Sequence, residues 1–172
     1  MLQHCKTIRE REIVWKFRHG AVCTPKLAYH MGLRLEKKCF FCKSVCHDWK
    51  HLLLCAKFDQ MWASVKCIVE KAGFKWNSKF LFSGNCSAEY KAVNHLLHVA
   101  YMVVYEYIIF EINKFKYKFN PPSRYKQLLF EMLYLDFKIS CDSEQSRIAF
   151  DNYWQKVSFL YKITGRYIDI RI

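Results

Sequence analysis

Residues 96–110 read Leu-Leu-His-Val-Ala-Tyr-Met-Val-Val-Tyr-Glu-Tyr-Ile-Ile-Phe, the longest apolar stretch of the chain, interrupted by His98 and Glu106. Crossing a hydrocarbon core takes about 20 apolar residues. The stretch is therefore too short and too polar to span a bilayer, and it predicts a buried helix. No membrane partner is expected. Composition agrees. The 172 residues are 52% hydrophobic and 17% aromatic, which supplies a real core and excludes disorder as the main state. Gly 5 and Pro 3 are too few for many tight turns, so long helices are predicted over an all-β fold.

Working outward, Ser87 is a candidate cap for a long helix running to about Lys118. Asn120-Pro121-Pro122 breaks the chain, and Ser123 starts a helix to about Ser140. Asp142 or Ser143 caps a last helix through Ile163, before Gly165. The alternating tail, 166–172, is a short strand or a frayed end. Toward the N-terminus, Thr7 to Arg18 predicts a helix with Ile13, Val14 and Phe17 on one stripe. Thr24-Pro25 is an N-cap and N1 pair opening a short helix, Lys26 to Met31, closed by Gly32. His51 to Ala72 predicts another helix, with Leu54, Phe58, Met61 or Trp62, Val65 and Val69 at helical spacing and Gly73 at its end.

The segment richest in chemistry is 39–55, Cys-Phe-Phe-Cys-Lys-Ser-Val-Cys-His-Asp-Trp-Lys-His-Leu-Leu-Leu-Cys. Cys39 and Cys42 form a C-x2-C knuckle, a turn from which two thiolates converge. His51 and Cys55 are four apart, which on a helix puts both on one face. The set Cys39, Cys42, His51 and Cys55 predicts one tetrahedral zinc ion, structural because no position stays open to water. Cys46 and His47 lie in the same loop and stand as alternatives for one of the four. The expected fold is mainly α, a small zinc-knuckle lobe over 1–75 and a helical bundle over 76–172, with the polar segment 75–85 as the boundary. His95 and His98, three apart on the long helix, are read as core or interface residues.

Lys and Arg number 28 against 15 Asp and Glu, a net charge of +13. The first 60 residues hold 12 of these cations and 5 of the anions. A domain this basic faces a polyanion. The candidate phosphate contacts are Arg9, Arg11, Lys16, Arg18, Lys26, Arg34, Lys37, Lys38, Lys43 and Lys50, with Lys114, Lys116 and Lys118 near a helix end. Phe40, Phe41 and Trp49 are core residues or stacking platforms for unpaired bases. The N-terminus is charged where a signal peptide would be apolar, so the nine cysteines are expected in a reducing compartment.

These residues resemble a known family. The run Val14-Trp15-Lys16-Phe17-Arg18-His19-Gly20-Ala21, then Thr24, Leu27-Ala28 and Gly32-Leu33, the Cys39/Cys42 knuckle, His51-Leu-Leu-Leu-Cys55 and Trp62 are similar to the zinc-binding segment that follows the polymerase in LINE-type (non-LTR) retrotransposon reverse transcriptases. Lys91 to Val104 and Leu128 to Lys138 carry a looser likeness to the helical tail of such proteins. Phe40 departs from the pattern, standing where that family often has Pro. The resemblance implies a non-catalytic segment that holds template RNA or target DNA, with RNA or single-stranded DNA and the polymerase part of the same polyprotein as partners, in the nucleus or cytoplasm. No paired aspartates of a polymerase and no endonuclease-like carboxylate cluster occur in the chain, so it is not expected to be an enzyme.

Overall fold

The computed structural model describes residues 7–44, 48–86, 89–113, 119–165 and 167–171. The architecture is mainly α, with one two-stranded sheet among the described residues. The helices are α1 (Ile8–Arg18), α2 (Pro25–His30), α3 (Trp49–Leu54), α4 (Asp59–Lys71), α5 (Phe80–Ser83), α6 (Lys91–Ile112), α7 (Pro121–Ser140) and α8 (Glu144–Trp154). Strands β1 (Tyr161–Thr164) and β2 (Tyr167–Ile170) close the chain as an antiparallel hairpin, Thr164 opposite Tyr167.

Helix starts follow local side-chain chemistry. The hydroxyls of Thr7, Thr24 and Ser143 and the amide oxygen of Asn120 each accept a hydrogen bond from a first-turn N–H, which satisfies a donor the helix leaves open. Pro121 and Pro122 therefore begin α7 rather than merely breaking the chain, since proline suits the first turn.

The long apolar stretch is the centre of the core. Helix α6 is 22 residues long, longer than the apolar run alone predicts, and by length and composition it would reach across a membrane. Its apolar surface is buried against α1, α4 and α7. Ile13, Val14 and Phe17 of α1 are buried as the stripe predicts, and so is Glu10. Residues from both sides of the 75/76 boundary share one buried cluster.

Three expectations are corrected. The helix predicted over 51–72 is two helices. Cys55 adopts extended backbone (φ −66°, ψ 132°), and a 3-10 turn over Ala56–Phe58 precedes α4. Asp48 caps α3 separately by accepting from the Lys50 N–H. The break turns Leu54 outward and leaves Leu52 and Leu53 in the core. Helix α6 starts at Lys91, with Tyr90 before it making no side-chain cap bond, and ends at Ile112. Ser87 and Lys114, Lys116 and Lys118 lie outside the described residues. The last helix stops at Trp154, since a 3-10 segment kinked at Val157 follows it, and Ile163 is in β1.

Candidate metal centre

The site is built by the turn after Cys39. The Cys39 N–H donates to the Ser44 carbonyl at 2.8 Å, and Lys43 takes the left-handed conformation (φ 62°) that closes so tight a loop. Its Nζ donates to the Phe40 carbonyl at 2.8 Å. The Phe41 N–H points at Cys39 Sγ, 3.5 Å away, stabilising charge on sulfur. Helix α3 carries His51 and ends at Cys55. The Leu53 carbonyl, left open by the early end of the helix, accepts from the Trp62 indole N–H at 2.7 Å. Trp62 thus braces the site from α4.

The structure brings all four predicted ligands together. Cys39 Sγ, Cys42 Sγ, a ring nitrogen of His51 and Cys55 Sγ lie within 4.8 Å of one another. Cys39 and Cys55 sulfurs are 3.9 Å apart, and Cys42 Sγ is 3.3 Å from His51 Nε2. Tetrahedral zinc, with bonds of about 2.3 Å to sulfur and 2.0–2.1 Å to nitrogen, separates two sulfurs by about 3.8 Å and sulfur from nitrogen by about 3.6 Å. The donors fit that ion. A disulfide needs sulfurs about 2.05 Å apart, so Cys39 and Cys55 are thiols. Cys39 and Cys55 are buried, whereas Cys42 is exposed and His51 half-buried. Cys46 and His47 lie outside the described residues.

The contact with the Cys55 sulfur, helped by the Cys42 and Phe41 amides, holds Cys39 down at about 4 against the effect of burial. The same contact, with burial, pushes Cys55 up. Cys42 is lowered despite desolvation by hydrogen bonds from Ser44 and His51, its Sγ being 2.8 Å from Ser44 Oγ. His51 is raised despite desolvation by its contacts with Cys42 and Cys39.

Around the centre, the basic residues are placed as follows. The Arg34 guanidinium lies 4.9 Å over the Phe40 ring and Lys37 Nζ 4.7 Å over Tyr29. Lys38 pairs with Glu36 at 3.4 Å, and Lys50 sits over Phe82. Arg18 Nε donates to the Ser83 carbonyl at 2.7 Å, and Lys26 is exposed on α2. Lys26, Lys37, Lys38, Lys43 and Lys50 are exposed, while Arg18 and Arg34 are half-buried. The three aromatics are packing residues. Phe40 is buried, Phe41 stacks on Tyr107 at 4.7 Å, and Trp49 lies against Phe82 and over Gly20.

A second cluster joins Glu10, His95 and His98 in the core. Glu10 Oε1 is 2.7 Å from His98 Nδ1 and 3.1 Å from His95 Nδ1, with all three side chains about 2% exposed. His98 Nε2 is 2.9 Å from the Gly84 carbonyl, which only accepts, so Nε2 carries hydrogen. The Nδ1–Oε1 contact of 2.7 Å is a buried hydrogen bond between His98 and Glu10. Both Glu10–histidine contacts are shorter than the roughly 3.3 Å between two ligands of one tetrahedral ion, as hydrogen-bonded groups are. The sequence offered no sign of this partner, because Glu10 lies 85 residues before His95.

Elsewhere, a cavity of about 620 Å³ opens between α1, α6 and α7. Glu106 there pairs with both Arg9, at 3.2 Å, and Arg124, at 2.9 Å.

Comparison with protein-family models, with curated proteins and with solved structures finds no match.

Proposed function

We propose that this chain is a nucleic-acid-binding module organised by one structural zinc ion on Cys39, Cys42, His51 and Cys55. The observation that carries the reading is the convergence of those four donors at distances that suit tetrahedral zinc. Three thiolates and an imidazole close the coordination sphere, so the ion supplies folding energy and no reactive position. The loop it fixes carries Lys37, Lys38 and Lys43, with Arg34 and Lys50 beside it. Such a cluster suits the phosphates of RNA or single-stranded DNA. The likeness to the segment behind LINE-type polymerases supports the same role, an accessory grip beside a polymerase.

Binding of single-stranded RNA and DNA oligomers, followed by fluorescence anisotropy across a salt series, tests the reading. We expect affinity to fall steeply with salt, with a log–log slope of about −0.7 per phosphate contacted. Lys37→Glu with Lys38→Glu flattens that slope, and Cys39→Ser weakens binding because the loop loses its shape. Affinity that is absent at low salt, or indifferent to all three changes, contradicts it.

A second reading has its own observation. Leu27, Met31, Leu33 and Leu35, which precede the Cys39 turn in the chain, are exposed, Leu35 at 95%. In that reading the metal holds a protein-docking surface, and a polymerase part of the same polyprotein covers these leucines. Nucleic-acid affinity would then be missing, and Leu35→Asp would abolish docking.

A further inference from the structure

Helix α7 has two faces. Tyr125, Leu129, Leu133 and Phe137 are buried in the core. The opposite face is centred on Glu131 and Lys138, both exposed, and it is unusually apolar. Phe130 is 47% exposed, Tyr134 40%, Leu135 59% and Ile139 65%, and Ile148 of α8 nearby is 54% exposed. These six α7 residues are arranged symmetrically about the point between Tyr134 and Leu135. At about 100° and 1.5 Å per residue, Glu131 and Lys138 lie about 10° to either side of the centre line. Tyr134 and Leu135 lie about 50° to either side, and Phe130 and Ile139 about 90°.

We propose that this face pairs with the same face of a second copy of the chain, the two α7 helices running antiparallel across a two-fold axis between Tyr134 and Leu135. Each Glu131 then stands level with Lys138 of the other copy, so two opposite-charge pairs form down the middle. Tyr134 meets its counterpart on one flank and Leu135 on the other, while Phe130 and Ile139 cover the shoulders. A parallel arrangement in register sets Glu131 against Glu131 and Lys138 against Lys138, which like-charge repulsion disfavours. A two-fold contact is the commonest way in which one surface serves both partners. Within one chain Glu131 accepts from Gln127 at 2.9 Å, and Lys138 lies 5.3 Å over the Tyr134 ring. Both are exposed contacts of small worth, and both groups are within reach of a second copy.

Sedimentation equilibrium of the zinc-loaded chain over a range of concentrations is the test. The expected result is a reversible dimer. Leu135→Asp and, separately, Ile139→Asp give monomers with unchanged helical circular dichroism and zinc content. Glu131→Lys and Lys138→Glu each weaken the dimer about tenfold at low salt, since each removes two pairs worth up to about 1 kcal/mol apiece. The double exchange, Glu131→Lys with Lys138→Glu, restores it. A wild-type monomer at every concentration overturns the proposal. So does a dimer indifferent to Leu135→Asp, or a double exchange that recovers nothing.

Discussion

Metal-capable side chains gather at two places in this chain, and the two gatherings differ in origin and in spacing. At the first, Cys39, Cys42, His51 and Cys55 come from 17 consecutive residues, and the donor contacts of 3.3 and 3.9 Å leave room for an ion between them. At the second, Glu10 from α1 meets His95 and His98 from α6 at 3.1 and 2.7 Å, in direct hydrogen-bonding contact. The first stands half open to solvent, where an ion can enter. The second is sealed in the core, where a carboxylate and an imidazole hold each other. Convergence of ligand-type residues therefore does not by itself define a metal site. The nature of the donors matters as well: sulfur suits zinc, whereas a carboxylate and an imidazole also hydrogen-bond each other directly.

The largest expected effect separates the two directly. Cys39→Ser and Cys55→Ser each abolish stoichiometric zinc, and with it binding energy on the order of 10 kcal/mol by analogy with small zinc domains. Amide exchange at Leu52, Leu53 and Phe58 rises as the local fold loosens. Zinc retained at one per chain in both variants breaks the contrast. The next effect belongs to the core. Glu10→Gln disturbs the buried hydrogen bonds to His95 and His98 and lowers stability by about 1–3 kcal/mol in urea unfolding, with zinc content unchanged. Metal lost on this substitution would mean that the ion sits in the core.

An effect of similar size tests how the turn after α1 packs on α3. Gly20 has φ +65°, and a Cβ there would lie 2.8 Å from Cδ1 and Nε1 of Trp49. Gly20→Ala is expected to cost about 1–3 kcal/mol in a thermal melt. Trp49→Ala in the same chain recovers the steric part, and additive losses would show that the two do not touch. The smallest effect is in the core and is stabilising. The Tyr125 hydroxyl is buried with no hydrogen-bond partner among the described residues, and burial pushes its phenol well above the usual range. The folded chain keeps that proton where the unfolded chain releases it. Its contribution is complete below about pH 10, the unfolded value, and is lost as pH rises further. Tyr125→Phe should therefore stabilise by about 1 kcal/mol, with the gain growing above about pH 10. A destabilised variant would mean that the hydroxyl has a partner.

What the sequence disclosed depended on how far apart the interacting residues lie. Thr24 was readable as a cap, and Ser143 as one of two candidates beside Asp142, because each bonds to an amide three residues away. The four-donor cluster was readable from the spacing of Cys39, Cys42, His51 and Cys55 alone. The break at Cys55 was hidden, because Phe58, Met61, Val65 and Val69 continue a helical period past it. Only the convergence of Cys55 on Cys39 and the indole of Trp62 on Leu53 reveal why α3 stops. Glu10 was hidden for the opposite reason. On its own helix it is a charged residue among Arg9, Arg11 and Glu12, and nothing local marks it for burial against His95 and His98. The C-terminal hairpin lies between these cases: the alternation of 167–170 was visible, but the departure of Ile163 from the preceding helix was not.

Zinc K-edge absorption on the purified full chain addresses the central claim most directly. The account predicts one zinc per chain with three sulfurs at about 2.3 Å and one nitrogen at about 2.0–2.1 Å. A chain that holds no metal, or a shell of nitrogen and oxygen alone, would contradict it.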